Sequence, residues 1–306
     1  MMTTGSDLHV TPVAPSERKT VLQLIFQELE STRRDSLVQD YIGQATHGKL
    51  SLEGLLAVKH QDEIIGASWC HVLPGKTAAL SAPQLKPGAT KDAIDLLWAE
   101  MDRYSKTADV EIAQCLIPTD SAENADALRR TGFRRVSLLM HMTSSSENFP
   151  ETTAESRLEY QSCALDQMQR MADLVQSTYQ QSLDCPVLNG SRKMTAVLEG
   201  YRHTGVFDPG RWLFLRFKSQ DVGCLLLTDH AQENQWELMY LGLIPEVRGH
   251  GWGLEATRYA QWLVSQTERD QLVLSVDAAN YPAVNVYELA GFSACDRQWI
   301  FFKTYS

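Results

Sequence analysis

The sequence predicts an α+β protein built from two similar halves. Three observations carry this prediction: apolar residues recur with the periods of helices and of strands, the same order of elements occurs twice, and a polar segment separates the two runs. With 306 residues, the chain also exceeds the size at which one core usually keeps growing. Two domains of about 150 residues each are therefore expected.

The first half, residues 1–142, begins with a strand and two helices and continues with three strands, a helix, a strand, a helix and a last strand. Alternating apolar residues mark the strands, and apolar residues spaced three or four apart mark the helices. The predicted elements are strand 8–13, helices 16–30 and 34–46, strands 54–60, 63–73 and 77–82, helix 90–106, strand 110–117, helix 121–130 and strand 134–142.

The segment "TSSSENFPETTAES", residues 143–156, is rich in Ser, Thr and Glu and has neither period. It is predicted to be an interdomain linker. Residues 157–306 then repeat the order of the first half. The predicted elements are strand 157–163, helices 165–182 and 191–203, strands 211–218, 222–229 and 235–244, helix 251–268, strand 272–278, helix 281–290 and strand 297–304.

Both halves end in a similar way. "ALRRTGF" ends at Phe133 and "VYELAGF" ends at Phe292, and each leads into a final strand. Four residues before the glycine stands Leu128 in the first half and Tyr287 in the second. The shared ending supports a duplication, in which this one position differs between the halves.

Composition narrows the function classes. The net charge of −10 argues against nucleic-acid binding, which needs clustered Lys and Arg. No window approaches the roughly 18 apolar residues of a membrane span, and "MMTTGSDLHV" lacks the features of a signal peptide. A cytoplasmic protein is expected, with no membrane partner. Six cysteines without CxxC spacing are expected to be reduced and mostly buried.

The stretch "LGLIPEVRGHGWGLEA", residues 241–256, places a glycine-rich turn between a strand and a helix. Backbone N–H groups are free at a helix start, and the helix dipole favours negative charge there, so the turn suits a pyrophosphate. Gly249, Gly251 and Gly253 would permit unusual dihedral angles and close approach of the ligand. Arg248 would add a positive charge. A purely structural helix entry is the alternative.

The turn does not match the Walker loop, because no Lys-Ser or Lys-Thr follows, and its spacing misses G-x-G-x-x-G. The pattern Arg-x-x-Gly-x-Gly after an apolar strand resembles the acetyl-CoA loop of GCN5-related N-acetyltransferases (GNAT enzymes). Downstream, "LSVDAANYPAVNVYELAGF" resembles the fifth strand and following helix of that family. The resemblance covers residues 158–306 well, and the first half only in its element order and "GF" ending.

The resemblance implies two tandem GNAT-like domains, each a mixed, mostly antiparallel sheet flanked by helices. In the family, the fourth and fifth strands splay apart and admit the pantetheine arm of acetyl-CoA, the acyl donor. Cofactor contacts would come from the fourth strand, the glycine turn and the following helix. The implied cofactor-binding residues are Leu241, Gly242, Leu243, Arg248, Gly249, His250, Gly251, Trp252, Gly253, Asn280 and Tyr287.

Two catalytic roles are also implied. Tyr287 matches the usual general acid, which protonates the departing thiolate, although a core tyrosine is the alternative. Glu237 lies on the fourth strand, where several members keep a carboxylate base, although a solvated strand residue is equally consistent with the pattern. An amine must lose a proton to attack the acetyl carbonyl, and backbone N–H groups stabilise the oxyanion. The chemistry needs no metal, and no metal-ligand spacing is present.

The acceptor is expected to be a primary amine of a small molecule or peptide. The segment 184–212 corresponds to the acceptor wall of the family, and Asp184, Arg192 and Tyr201 are the candidate substrate residues. Solvated helix faces are the alternative for such residues.

The first half has "SAPQLKPGATKDAIDLL" where the glycine loop would follow its fourth strand. It contains no Arg-x-x-Gly-x-Gly, and with Leu128 in the tyrosine position it is predicted to be a degenerate domain without a cofactor loop. A tandem acetyltransferase with one working site is therefore expected. A noncatalytic acyl-CoA-binding regulatory protein is the alternative.

Overall fold

A computed structural model describes residues 8–73, 75–153, 156–185 and 194–305. The chain forms two compact units. The first comprises Met1–Val136 together with Trp299–Ser306, and the second comprises Ser137–Gln298. The predicted α+β class is confirmed, and each unit is described below by itself.

The first unit has the element order that periodicity predicts, with one further short strand. Its elements are β1 Leu8–Pro12, α1 Arg18–Ile25, α2 Ser31–Thr46, β2 Leu55–His60, β3 Glu63–Leu73, β4 Thr77–Leu80, β5 Gln84–Leu85, α3 Lys91–Thr107, β6 Ile112–Pro118, α4 Ala122–Arg130 and the start of β7, Arg134–Ser145.

Strands β1 to β4 of the first unit pair antiparallel in sequence order, and β4 then pairs parallel with β6. One core lies against α1 and α2 and includes Val21, Leu22 and Val38. The other lies against α3 and α4, where Ile94, Leu97, Trp98 and Met101 recur at helical spacing and are buried. The sheet is therefore covered by a pair of helices on each face.

The second unit repeats this plan. Its elements are the rest of β7, β8 Glu159–Ser162, α5 Met168–Thr178, α6 Met194–Arg202, β9 Trp212–Phe217, β10 Gln220–His230, β11 Gln235–Leu243, α7 Trp252–Ser265, β12 Gln271–Asp277, α8 Tyr281–Leu289 and the start of β13, Ser293–Thr304.

Strands β8 to β11 again pair antiparallel in order, and β11 pairs parallel with β12. β12 in turn pairs antiparallel with β7. Alternate residues of β9 face opposite cores: Leu213 and Leu215 pack with α7 and α8, whereas Trp212 and Phe214 pack with α5 and α6. The matching strand order and helix placement in the two units support the predicted duplication.

The boundaries of these units differ from the expected divisions at residues 142 and 157. Strand β7 continues to Ser145, and Ser144 is buried, with its Oγ accepting from Gln261 Nε2 at 2.9 Å. Phe149 lies in the core beside α7 and α8. Thr143, Ser144 and Ser145 of the expected linker 143–156 thus belong to a paired strand, and the buried Gln261 satisfies the Ser144 hydroxyl.

The last strand also differs from expectation. β13 begins at Ser293, four residues before the predicted 297. Its final residues, from Trp299 onward, belong to the first unit, and Phe301 is fully buried in the core of that unit. All six cysteines are free thiols and four of them are buried, as composition predicts.

Candidate functional site

The parallel strands β11 and β12 pair over only part of their lengths. Their register runs from Gln235↔Gln271 to Leu238↔Leu274, whereas β11 continues to Leu243 and β12 to Asp277. β11 stays paired with β10 as far as Leu243. Residues 239–243 therefore have no ladder partner on the β12 side, so backbone groups directed to that side are available to a ligand, except the Leu243 carbonyl, which accepts from Arg248 Nε.

A cavity of about 390 Å³ lies where the two strands separate. Its walls come from β11, β12, the start of α8 and the end of α5 with the chain that follows it. Seven residues singled out in the sequence line it: Asp184, Leu241, Gly242, Leu243, Arg248, Asn280 and Tyr287. These cofactor, acid and substrate candidates, distant in sequence, are therefore brought together.

A β-bulge interrupts β11 within the cavity wall. Leu226 pairs with Tyr240 and Leu227 with Leu238, so Met239 is an extra residue with no counterpart on β10. Met239 lines the cavity. A bulge re-aims the backbone of one strand, and such irregularities are common beside functional sites.

The glycine turn leads from β11 into α7. Gly249 and Gly251 have φ angles of +81° and +80°, and a Cβ at either would meet no atom within 4 Å. Their conformation, rather than lack of space, requires glycine. Gly253 differs, because a Cβ there would make only ordinary contact with Val286, at 3.7 Å. The expected unusual dihedral angles are therefore found at two of the three glycines.

The N-terminus of α7 has no side-chain cap. Gly251 is its N-cap residue, and Glu255 N–H donates to the Gly251 carbonyl at 3.2 Å. The N–H groups of the first turn have no intrahelical acceptors, which makes this end of the helix suited to an anion. Residues 249–253 themselves are not among those that line the cavity.

Two side chains of this turn are engaged within the protein. Trp252 is 7% exposed and packs against Phe217 in the core, with ring centroids 4.9 Å apart. His250 Nδ1 donates to the Arg248 carbonyl at 3.1 Å. The Trp252 indole therefore belongs to the core. The backbone N–H of Trp252 is the group that could bind a ligand.

Arg248, expected to add positive charge for a pyrophosphate, also makes hydrogen bonds within the protein. Its Nε donates to the Leu243 carbonyl (3.0 Å), and its two terminal nitrogens donate to the carbonyls of Gln181 (3.2 Å) and Thr178 (2.8 Å). Thr178 is the last residue of α5, where a cation is favoured by the helix dipole. The guanidinium therefore ties the start of the glycine turn to the end of α5.

Gly242 allows α5 to approach β11 closely. A Cβ at this position would lie 2.6 Å from Thr178 Oγ1 and 2.8 Å from the Tyr240 hydroxyl. These two hydroxyl groups share a hydrogen bond of 2.8 Å. The glycine is thus required by space at this point of the cavity wall.

Helix α8 supplies Asn280 and Tyr287. Asn280 is the N-cap residue, and its side-chain oxygen accepts from Ala283 N–H at 3.4 Å. Tyr287 is 8% exposed and lines the cavity, with its ring 5.8 Å from that of Phe292. Burial, and secondarily the nearby Asp184, raises the pKa of the Tyr287 hydroxyl. The hydroxyl therefore remains a proton donor at neutral pH.

Asp184 is held against the end of β12 by reciprocal hydrogen bonds. Its Oδ1 accepts from Asp277 N–H at 2.9 Å, while Asp277 Oδ2 accepts from Cys185 N–H at 3.2 Å. Asp184 is exposed as a residue, yet desolvation of its carboxylate, together with the Asp277 carboxylate, raises its pKa. The cavity thus carries an acidic side chain that favours a cationic group.

Glu237, the predicted base, is not brought to the cavity. It lies on β11 opposite Thr228, and its Oε2 accepts from His230 Nε2 at 2.8 Å. This hydrogen bond, opposed by partial burial, raises the pKa of His230. Glu237 is not among the lining residues, so the structure does not bring it together with the other candidates.

The remaining substrate candidates lie elsewhere. Tyr201, on α6, packs against the core between the sheet and α5 and is not among the cavity-lining residues. Arg192 lies outside the described residues. Of the two candidates within the described residues, Asp184 lines the cavity and Tyr201 does not.

Several lining residues escaped the sequence prediction, among them Thr178, Met239, Tyr240 and Ser275. None belongs to a local motif. The bulge at Met239 depends on the register with β10, and Ser275 is an ordinary strand residue until its neighbours are known.

Among the described residues, no group of three or more His, Cys, Asp or Glu side chains is arranged to hold a metal ion. Within the same part of the chain, no helix has the length and apolar character needed to span a membrane.

Comparison with known proteins is consistent with this geometry. Residues 175–292 match the acetyltransferase (GNAT) family. Mycothiol acetyltransferase from Streptomyces griseus is 32% identical over 87 residues, which is 28% of this chain and 28% of that protein. The match therefore spans little more than a quarter of the length of that relative.

Solved structures resemble the chain over nearly its whole length. A GCN5-related N-acetyltransferase from Sphaerobacter thermophilus has a TM-score of 0.67 at 15% identity, covering 99% of this chain and 97% of that one. A tandem GNAT protein from the clavulanic acid biosynthesis pathway has a TM-score of 0.64 at 12% identity, covering 97% and 98%. Residues 175–292 thus match the GNAT acetyltransferase family, and the fold of the chain resembles those of GNAT proteins, among them a tandem one.

Proposed function

We propose that the protein is an N-acetyltransferase that moves an acetyl group from acetyl-CoA to a primary amine of a small molecule or peptide. The observation that carries this proposal is the separation of β11 and β12 after Leu238↔Leu274, directly before the glycine turn and with Tyr287 in the same cavity. The unpaired edge of β11 suits the pantetheine arm of acetyl-CoA, and the helix start suits its pyrophosphate. The protonated Tyr287 hydroxyl suits the departing thiolate.

The donor would bind with its pantetheine arm along residues 239–243 and its pyrophosphate near the start of α7. The unpaired backbone groups of β11 supply hydrogen bonds for the amide groups of the arm. The free N–H groups at Gly251 to Gly253 favour the phosphate charge. The bulge at Met239 supplies backbone groups outside the β10 ladder for the acetyl carbonyl.

The transfer itself would occur by direct attack in a ternary complex. The neutral amine attacks the acetyl carbonyl carbon, the C–S bond breaks, and the Tyr287 hydroxyl protonates the departing thiolate. Asp184 would attract the acceptor as an ammonium ion, because its carboxylate lines the cavity. Glu237 would need a water chain to serve as base, since its carboxylate is bonded to His230.

The first unit would have no acetyl-CoA site of its own. All four residues of β4 pair with β6, from Thr77↔Ile112 to Leu80↔Cys115, so β4 has no unpaired end comparable to that of β11. Leu128 occupies the position of Tyr287 and is fully buried. The first unit would therefore not catalyse acetyl transfer.

The proposal is tested by incubating the full chain with radiolabelled acetyl-CoA and a panel of primary amines that includes glucosamine, cysteine, lysine, spermidine and short peptides. Formation of an acetylated amine with release of free CoA is the expected result. Tight acetyl-CoA binding without transfer to any member of the panel would instead support a noncatalytic acyl-CoA-binding protein.

A further inference from the structure

Three side chains of the second unit form a hydrogen-bonded row that begins at the cavity. Ser275 Oγ, on β12, donates to His141 Nδ1, on β7, at 2.8 Å. His141 Nε2 donates to Gln298 Oε1, on β13, at 3.1 Å. Ser275 and His141 are directly opposite in the β7–β12 register. Ser275 lines the same cavity as Tyr287.

Gln298 determines which ring nitrogen of His141 carries a hydrogen. The Gln298 side-chain oxygen can only accept, so Nε2 carries a hydrogen and Nδ1 of the neutral ring has a free lone pair. Nδ1 can therefore accept from the Ser275 hydroxyl. Ser275 Oγ keeps lone pairs that can accept a proton from a molecule in the cavity.

In many enzymes a hydroxyl is hydrogen-bonded to an imidazole, and a third side chain orients the other ring nitrogen. This arrangement activates the hydroxyl or relays a proton. Imidazole accepts and releases protons near neutral pH. The proposed reaction needs such an acceptor, because the attacking nitrogen must lose a proton. Glu237 lies outside the cavity wall and already binds His230.

We propose that Ser275 and His141 form the relay that takes the proton from the acceptor amine, an inference that rests on the proposed acetyl transfer. As the N–C bond forms, the attacking nitrogen gives a proton to Ser275 Oγ, and the Ser275 hydroxyl proton passes to His141 Nδ1. The resulting imidazolium donates to both Ser275 and Gln298. Tyr287 separately supplies the proton for the thiolate, and His141 returns its proton to solvent after turnover.

Few other titratable groups face His141 from the strands beside it. On β13, the Cys295 thiol donates to the His141 backbone carbonyl at 3.4 Å. On β12, Asp277 pairs with Leu139, and its carboxylate oxygens accept from Ala279 and Cys185 N–H groups. No ion pair of His141 occurs within the described ranges.

The test compares full-length Ser275→Ala, His141→Gln and the double variant with the wild type, using the best amine of the panel. His203→Gln is the matched control, because His203 is an exposed histidine whose ring bonds only to its own helix, at the Glu199 carbonyl and carboxylate. Each single variant should lower kcat by about 10²-fold, within the usual range for general acid–base catalysis, with little change in the KM for acetyl-CoA. The double variant should be no worse than either single one.

The pH profile separates a relay from a merely structural hydrogen bond. At saturating amine, wild-type kcat should fall toward acid pH, and that acid limb should disappear in His141→Gln but persist in His203→Gln and Glu237→Gln. An acid limb that persists in His141→Gln and vanishes in Glu237→Gln would overturn the relay. An acetyl group found on Ser275 by mass spectrometry would also overturn it, because Ser275 would then be a nucleophile.

One measurement is independent of turnover. The imidazole ¹⁵N shifts of the resting protein should show His141 with hydrogen on Nε2 and none on Nδ1 at neutral pH. The opposite tautomer would contradict the relay even if the protein acetylates amines. If the wild type acetylates no amine, the proposed function itself fails, and the inference fails with it.

Discussion

At the residue scale, Tyr287 shows how environment prepares a side chain for its proposed task. A tyrosine hydroxyl in water is already protonated at neutral pH, and burial with a neighbouring acidic group raises the pKa of Tyr287 further. Such a group does not ionise in the resting protein. It can give its proton to a strongly basic thiolate that forms beside it and then recover one from water.

Tyr287→Phe should keep the packing against Phe292 while removing the proton donor. We expect kcat to fall by about 10² to 10⁴, the usual contribution of a general acid, while acetyl-CoA affinity changes little. Steady-state kinetics and calorimetry on the same preparation measure both quantities. Equal turnover of the variant and the wild type would show that Tyr287 is a core tyrosine only.

The Glu237–His230 pair gives a pH-dependent prediction of stability. Its hydrogen bond raises the pKa of His230 in the folded state. The stabilisation is therefore fully present below the unfolded pKa of histidine and is lost as pH rises through the raised folded pKa. Because both side chains are partly exposed, the contribution should be about 0.5–1 kcal/mol.

Urea unfolding of the wild type and Glu237→Gln at pH 5.5 and pH 8.5 measures this difference. The variant should be less stable at pH 5.5 and nearly equal to the wild type at pH 8.5. A larger loss at pH 8.5 than at pH 5.5 would contradict the assigned pair.

At the element scale, the end of α5, the edge of β11 and the start of α7 act together. Arg248 joins them through three backbone carbonyls, and Gly242 permits their close approach. A planar guanidinium can make several such bonds at once, whereas an ammonium on a flexible chain cannot match its geometry. The shape of the cavity mouth therefore depends on this arginine.

Arg248→Lys should keep the charge but lose part of this tie. We expect a loss of about 1–3 kcal/mol in stability, because carbonyl groups are left without donors, and weaker acetyl-CoA binding. Arg258→Lys is the matched control, because Arg258 is exposed on α7, the helix that follows the glycine turn. Equal thermal unfolding and equal affinity in the two variants would remove this role from Arg248.

Much of the element order was predictable from the sequence, because local apolar periods decide helix and strand. The apolar stripe of α3 is an example. Pairing between distant strands has no local signal. The unpaired ends of β11 and β12, the bulge at Met239 and the Ser275–His141 row all depend on register, so they could not be predicted.

The site was predictable to the same extent. The glycine turn, Asn280 and Tyr287 carry a recognisable motif, and the structure brings Tyr287 and Asn280 to one cavity with Arg248. Glu237 was chosen for its chemistry on the right strand, but its partner His230 stands across the hairpin and is not evident from spacing alone. Gly253 looked like its neighbours in sequence but has an ordinary conformation.

At the scale of the whole molecule, neither unit is a continuous segment of the chain. The first unit includes Trp299–Ser306, where Lys303 Nζ and the Tyr305 hydroxyl both donate to Asp102 Oδ1, at 2.5 and 2.9 Å. The second unit includes the part of β7 that pairs with β12. Cutting the chain at residues 142 and 157 would therefore remove a strand from the second unit and Phe301 from the first.

Phe301→Ala should consequently destabilise the first unit although the residue lies five positions from the chain end. A fully buried phenylalanine replaced by alanine typically costs about 3–5 kcal/mol. Thr304→Ala, at an exposed position on the same strand, should cost little. Chemical denaturation measures the stability of both variants, and hydrogen exchange of α3 reports on the first unit. Similar stability of the two variants would contradict the assignment of the last strand to the first unit.

The central claim is that the chain holds one acetyl-CoA, in the second unit. Isothermal titration calorimetry of acetyl-CoA into the full chain should give one site per chain. Gly251→Asp should abolish binding, because it places an anion at the helix start where Gly251 has φ of +80°. Gly253→Ala should bind normally, since its Cβ makes only ordinary contact with Val286. Two sites per chain, or unchanged affinity in Gly251→Asp, would contradict the account.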